Sequence, residues 1–94
     1  MYQLSDYVSN NIKITLDVLN KYDPIGIATT VNESEYEMEA IDIGNRAGII
    51  TIECLTRYIG EVFLFWFDEA PKAEICLHMA LEINERIRSE KYDG

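Results

Sequence analysis

Between residues 22 and 45 the chain carries six carboxylates, Asp23, Glu33, Glu35, Glu37, Glu39 and Asp42, and no lysine or arginine. Two kinds of chemistry suit that pattern. Carboxylates in the first turn of a helix meet unpaired N–H groups and the positive end of the helix dipole, which fits Glu33, Glu35 and Glu37. That accounts for two or three acids and leaves the missing cations unexplained. The other chemistry is recognition of a basic protein surface, with Asp23, Glu33, Glu35, Glu37 and Glu39 as contacts and Tyr36 as an aromatic anchor among them. Asp42 stands at the margin of this set.

Catalytic chemistry finds less material. His78 is the single histidine, and a thiol–imidazole pair with Cys54 or Cys76 would need tertiary folding to form it. Two cysteines and one histidine lack zinc-site spacing. Ile75 stands three residues before His78, so the Glu-x-x-His element of di-iron bundles is missing. Glu74, His78 and Glu82 share one helix face and could hold a divalent ion only adventitiously. Gly26, Gly44, Gly48 and Gly60 follow no phosphate-binding pattern. The expectation is a protein that is not an enzyme and uses no cofactor or metal.

The net charge of −9 narrows the partners. A field of that sign repels nucleic-acid phosphates and anionic membranes and attracts basic proteins, so direct nucleic-acid or membrane binding is not expected. No apolar run approaches the roughly 18 residues of a membrane span, and the N-terminus has no signal-peptide pattern, which favours the cytoplasm. Cys54 and Cys76, both placed on buried helix faces, then read as reduced core thiols.

The elements that must position these residues follow from hydrophobic periodicity. Leu4, Val8, Ile12, Leu16 and Leu19 predict a helix over residues 5–21, capped by Ser5 or Asp6. Asp23-Pro24-Ile25-Gly26 ends it, with Ile25 and Ile27 pinning the turn to the core. A second helix begins near residues 32–34 through a capping box of Asn32 with Glu35 or Ser34 with Glu37. It buries Tyr36, Ala40, Ile43 and Ala47 and stops near Gly48.

The third helix, residues 51–67, is the most apolar stretch. Ile52, Leu55, Ile59, Val62, Phe63 and Trp66 form one stripe, widened by Cys54, Tyr58 and Phe65, so the helix is expected at the centre of the fold. Its aromatic end reads as core, with Phe65 or Phe67 emerging at an interface, and Gly60 suggests close approach of another helix. Residues 48–52 are also compatible with a short strand, but no second strand pairs with it. The fourth helix covers residues 71–90, burying Cys76, Ala80, Ile83 and Ile87 with Leu77 and Leu81 beside them. Arg86, Arg88 and Lys91 complement its dipole. Four helices with short connections predict an all-α, single-domain, compact antiparallel four-helix bundle over residues 1–94.

Three motifs occur in order: Tyr22-Asp23-Pro24-Ile25-Gly26-Ile27, Asn32-Glu33-Ser34-Glu35-Tyr36, and Phe63-Leu64-Phe65-Trp66-Phe67. Together they resemble small acidic bacterial immunity proteins of contact-dependent and other polymorphic toxin systems. The resemblance implies stoichiometric inhibition: binding a cognate toxin domain, a nuclease, and covering its basic groove. The contact set it implies is Asp23, Glu33, Glu35, Tyr36, Glu37, Glu39 and Asp42. The alternative is a small structural or regulatory helical protein, homodimeric through the aromatic end of the third helix.

Overall fold

A computed structural model describes the backbone over residues 4–26 and 36–92 and side chains over residues 10–26 and 36–90. The elements are α1 (Leu4–Tyr22), α2 (Glu37–Gly44), α3 (Ile52–Phe67) and α4 (Ala73–Tyr92), with no strand among the described residues. They form the expected antiparallel four-helix bundle. Each helix touches two others in a closed ring, α1–α2–α3–α4 and back to α1, while neither diagonal pair brings Cα atoms within 8 Å. The molecule measures 40 × 30 × 19 Å, and the short dimension is two helix diameters of about 10 Å.

Local chemistry sets the boundaries. Ser5 and Asp6 lie inside α1 rather than capping it. At its other end Asp23 takes a left-handed conformation (φ 46°) and donates its N–H to the Leu19 carbonyl, and Gly26 (φ 78°) turns the chain away. Ile25 packs against the core as expected, whereas Ile27, Asn32, Ser34 and Glu35 lie outside the described residues. Tyr36 holds the N-cap position of α2 without a side-chain cap bond. The helix ends at Gly44, earlier than the expected Gly48, and a turn through residues 45–49 follows, with Gly48 at φ 85°. Thr51 settles the strand-or-helix question: its hydroxyl accepts the Cys54 N–H at 3.1 Å and caps α3. Asp68 (φ 58°) closes α3, and Pro71 stands just ahead of α4.

Among the described residues sixteen apolar ones make the core, including Tyr36, Ala40, Ile43 and Ala47 near α2 and Cys76, Ala80, Ile83 and Ile87 on α4. Met79 joins them, but Leu77 and Leu81 remain exposed. The close helix approach occurs at Gly44, not Gly60. A Cβ on Gly44 would lie 2.8 Å from the Ile12 Cα, whereas one on Gly60 would meet only the Cys76 Sγ at 3.9 Å.

α3 is not a central post. It has two neighbours like every other helix, and its buried side chains are Leu55, Ile59, Val62 and Phe63. Cys54 is exposed, as are Leu64, Phe65 and Trp66. The physical reason is the length of its neighbour. Eight residues of α2 rise about 12 Å against about 24 Å for the sixteen of α3, so one flank of α3 is only partly covered.

Candidate partner-binding surface

The acidic segment does not form one continuous band. Glu33 and Glu35 lie outside the described residues. Tyr36 is fully buried, so it is not the exposed anchor expected from its acidic neighbours. Its ring packs on Phe63 at 5.8 Å and edge-on to Phe67 at 6.2 Å between centroids. Its hydroxyl donates to Asp23 Oδ1 at 2.6 Å and accepts the Ile25 N–H at 3.3 Å. The half-buried Asp23 therefore joins a latch between the end of α1 and the start of α2.

The remaining acids diverge around α2. Glu39 is 3% exposed, and its Oε1 has no hydrogen-bond partner among the described residues. Burial, chiefly, pushes its carboxyl above the ordinary 4.5; its backbone hydrogen bond opposes the shift and the Asp42 charge adds to it. Glu37 is exposed. Asp42 lies about 140° around the helix from Glu37, counting 3.6 residues per turn. It accepts the Trp66 indole N–H through Oδ2 at 2.9 Å. A burial pattern built on apolar residues alone treats Glu39 as surface, which is why its position escaped sequence reasoning.

A site missed in the sequence lies along the α2–α3 seam. Asp42, Tyr58, Glu61, Val62 and Phe65 line a cleft of about 160 Å³. Phe65 is 77% exposed and meets Trp66 edge-on at 5.3 Å. At the edge of the cleft the Arg46 guanidinium lies over the Tyr58 ring, 4.6 Å from its centroid. One sequence signal could have led there. Residues 58–71 also contain no lysine or arginine but carry Glu61, Asp68 and Glu69. With the six acids of residues 22–45 they make up the entire net charge of −9; the other eight acids are matched by the eight lysines and arginines.

The opposite seam, α1–α4, differs in chemistry. Lys21 pairs with Glu82 at 2.9 Å, Arg86 with Asp17 at 2.6 Å, and Asn10 donates to Glu90 at 3.0 Å. Tyr22 adds its hydroxyl to Glu82 at 3.1 Å. Glu82, the third member of the Glu74–His78–Glu82 row, is thus held by α1. Among the described residues no three His, Cys, Asp or Glu side chains are grouped closely enough to hold a metal ion. His78 is exposed while Cys76, two residues earlier, faces inward, and burial pushes that thiol up; positions two apart do not face each other on a helix. Both cysteines are free, Cys54 exposed and Cys76 buried, which corrects the expectation that both are core thiols.

No described helix is long and apolar enough to cross a membrane. No protein-family model, curated protein or solved structure matches the chain.

Proposed function

We propose that this protein is an immunity-type inhibitor that binds a basic toxin domain, a nuclease, in the cytoplasm of the producing cell and covers its active-site groove. The observation that carries the proposal is the segregation of charge: all nine uncompensated carboxylates belong to two cation-free stretches, residues 22–45 and 58–71. α2 and α3, which hold residues 37–44 of the first stretch and residues 58–67 of the second, pack side by side. A nuclease must attract a polyanion, so its groove is basic. An acidic protein of this size can occupy such a groove and accelerate its own association through long-range attraction. Glu37 and Asp42 remain accessible members of the expected contact set, whereas Tyr36 and Glu39 support the surface from within.

The test is titration of the purified protein into toxin nuclease domains, starting with one encoded beside it. The expected result is inhibition saturating at one-to-one stoichiometry, with an association rate that falls as salt rises. No inhibition and no salt-sensitive complex with that neighbouring product would overturn the proposal.

Exposed Leu64, Phe65 and Trp66 also support a second reading, a homodimer through this end of α3. Pairing two chains that each carry −9 opposes it. Light scattering at several concentrations distinguishes the two, since a persistent dimer would favour the homodimer.

A further inference from the structure

Deepening the inhibitor proposal and resting on it, we propose that the α2–α3 cleft is the seat of one arginine side chain from the basic partner. The cleft's 160 Å³ is well below the roughly 300–1,000 Å³ of small-molecule pockets, the scale of one long side chain rather than a nucleotide or a folded segment. Its lining combines two carboxylates, two aromatic rings and an aliphatic floor: Asp42 and Glu61, Tyr58 and Phe65, and Val62. A guanidinium needs that combination. It is planar, stacks on rings, and donates paired hydrogen bonds to carboxylates.

The two carboxylates are open for that role. Asp42 uses Oδ2 for the Trp66 N–H, which orients the group and leaves Oδ1 without a partner among the described residues. Glu61 is exposed and has no hydrogen bond or ion pair among the described residues. Among the described residues neither lysine nor arginine lines the cleft. The molecule provides an internal precedent at the cleft's edge, where Arg46 stacks on Tyr58. A lone exposed phenylalanine would carry no meaning, but Phe65 packs edge-on to Trp66 and shares the cleft wall with Asp42 and Glu61, and exposed aromatic clusters of this kind serve as interface anchors. Charge decides the occupant: a second copy of a −9 chain is repelled where a basic partner is attracted.

Trp66 is the single tryptophan and borders the cleft, so its fluorescence reports on occupancy. The probe is an acetylated hexa-arginine peptide at low salt, with hexalysine for comparison. The wild-type protein should show a saturable change in Trp66 emission, and hexalysine should bind more weakly. Asp42→Asn combined with Glu61→Gln removes both charges while leaving an amide oxygen for the indole. It should weaken hexa-arginine binding by about tenfold or more, and Phe65→Ala by several-fold. The control, Glu74→Gln with Glu85→Gln on exposed α4 positions, removes the same charge and should stay within about twofold of wild type.

Equal losses in the two double variants, each checked for an unchanged urea midpoint, would overturn the cleft as a site while leaving a generally acidic inhibitor standing. Absence of any saturable change in the wild type would overturn it as well. So would a dimer in sedimentation that Phe65→Ala dissociates without peptide, because the occupant would then be a second copy. Conversely, peptide binding that depends on Asp42 and Glu61 without inhibition of any toxin nuclease would sustain the cleft and sink the inhibitor proposal.

Discussion

The α1–α4 and α2–α3 seams lie on opposite sides of one ring and are built by opposite rules. On the first, cations and anions answer each other across the helices: Lys21 with Glu82, Arg86 with Asp17. On the second, carboxylates stand beside rings, Asp42 with Trp66 and Glu61 with Phe65, and Arg46 lies over Tyr58. One seam is complete within the chain; the other leaves charge and apolar surface unanswered. The contrast teaches where to look for a partner, because uncompensated charge beside exposed aromatics is what an interface requires.

The largest expected effect concerns what holds the open seam together. Phe63 is fully buried and stacks with Phe67 at 5.6 Å beside Tyr36. Phe63→Ala should cost about 3–5 kcal/mol, a large share of the roughly 5–15 kcal/mol typical of a domain, measured from urea unfolding. A loss under about 1 kcal/mol would mean that this seam is loosely packed. Next comes the latch. Tyr36→Phe keeps the ring and removes the hydroxyl shared by Asp23 and Ile25, with an expected loss of about 1–3 kcal/mol by the same measurement.

Acid should then act with opposite sign on Glu82, at the closed seam, and on Glu39, buried on α2. The Lys21 hydrogen bond, first among several causes, holds the Glu82 carboxyl below its ordinary 4.5. The folded chain therefore binds that proton more weakly than the unfolded chain. Its stabilising contribution is present above pH 4.5 and is lost as pH falls through the lower folded value. Glu39 is raised by burial, so the folded chain binds its proton more tightly. Ionised Glu39 thus costs stability at neutral pH, a cost that fades as pH falls through the folded value towards 4.5. Urea midpoints from about pH 2.5 to 7 should show Glu39→Gln more stable than wild type at pH 7, with the gain vanishing in acid. Glu82→Gln should instead be less stable at pH 7 and lose less on acidification. Slopes of the same sign would break the comparison.

The smallest effect belongs to the closed seam's outer pair. Arg86→Ala should cost about 0.5 kcal/mol, and high salt should erase most of it, since both partners are partly in water. A salt-insensitive loss well above 1 kcal/mol would show that this seam is more than a solvated ion-pair ladder.

Much of the scaffold could be read from apolar spacing, because burial on one stripe is what that spacing encodes. Cys76, Ala80, Ile83 and Ile87 are all buried as expected, and so are Tyr36, Ala40, Ile43 and Ala47. Periodicity was silent on how much neighbour each stripe receives. α3 reads as apolar nearly all round, yet α2 is too short to cover its flank, and Phe65 and Trp66 emerge. The candidate site was less legible for a related reason. Charge composition marks residues 22–45 as unusual, but it does not tell which carboxylates a backbone turns inward, as with Glu39, or which a buried phenol captures, as with Asp23. Gly44 and Gly60 look equivalent as letters; only the crossing of α1 over α2 makes the first indispensable.

The placement of Cys54 has a practical consequence. It shares a helical stripe with Tyr58, Glu61 and Phe65, about 16 Å along α3 from the last of these, and its sulfur is open to solvent while that of Cys76 is enclosed. A maleimide dye should therefore couple selectively at one end of the stripe, with the indole of Trp66 as an energy donor near the other. The unaltered chain is in this sense ready-made for watching the arrival of a ligand along that flank, with no engineered tag to disturb it.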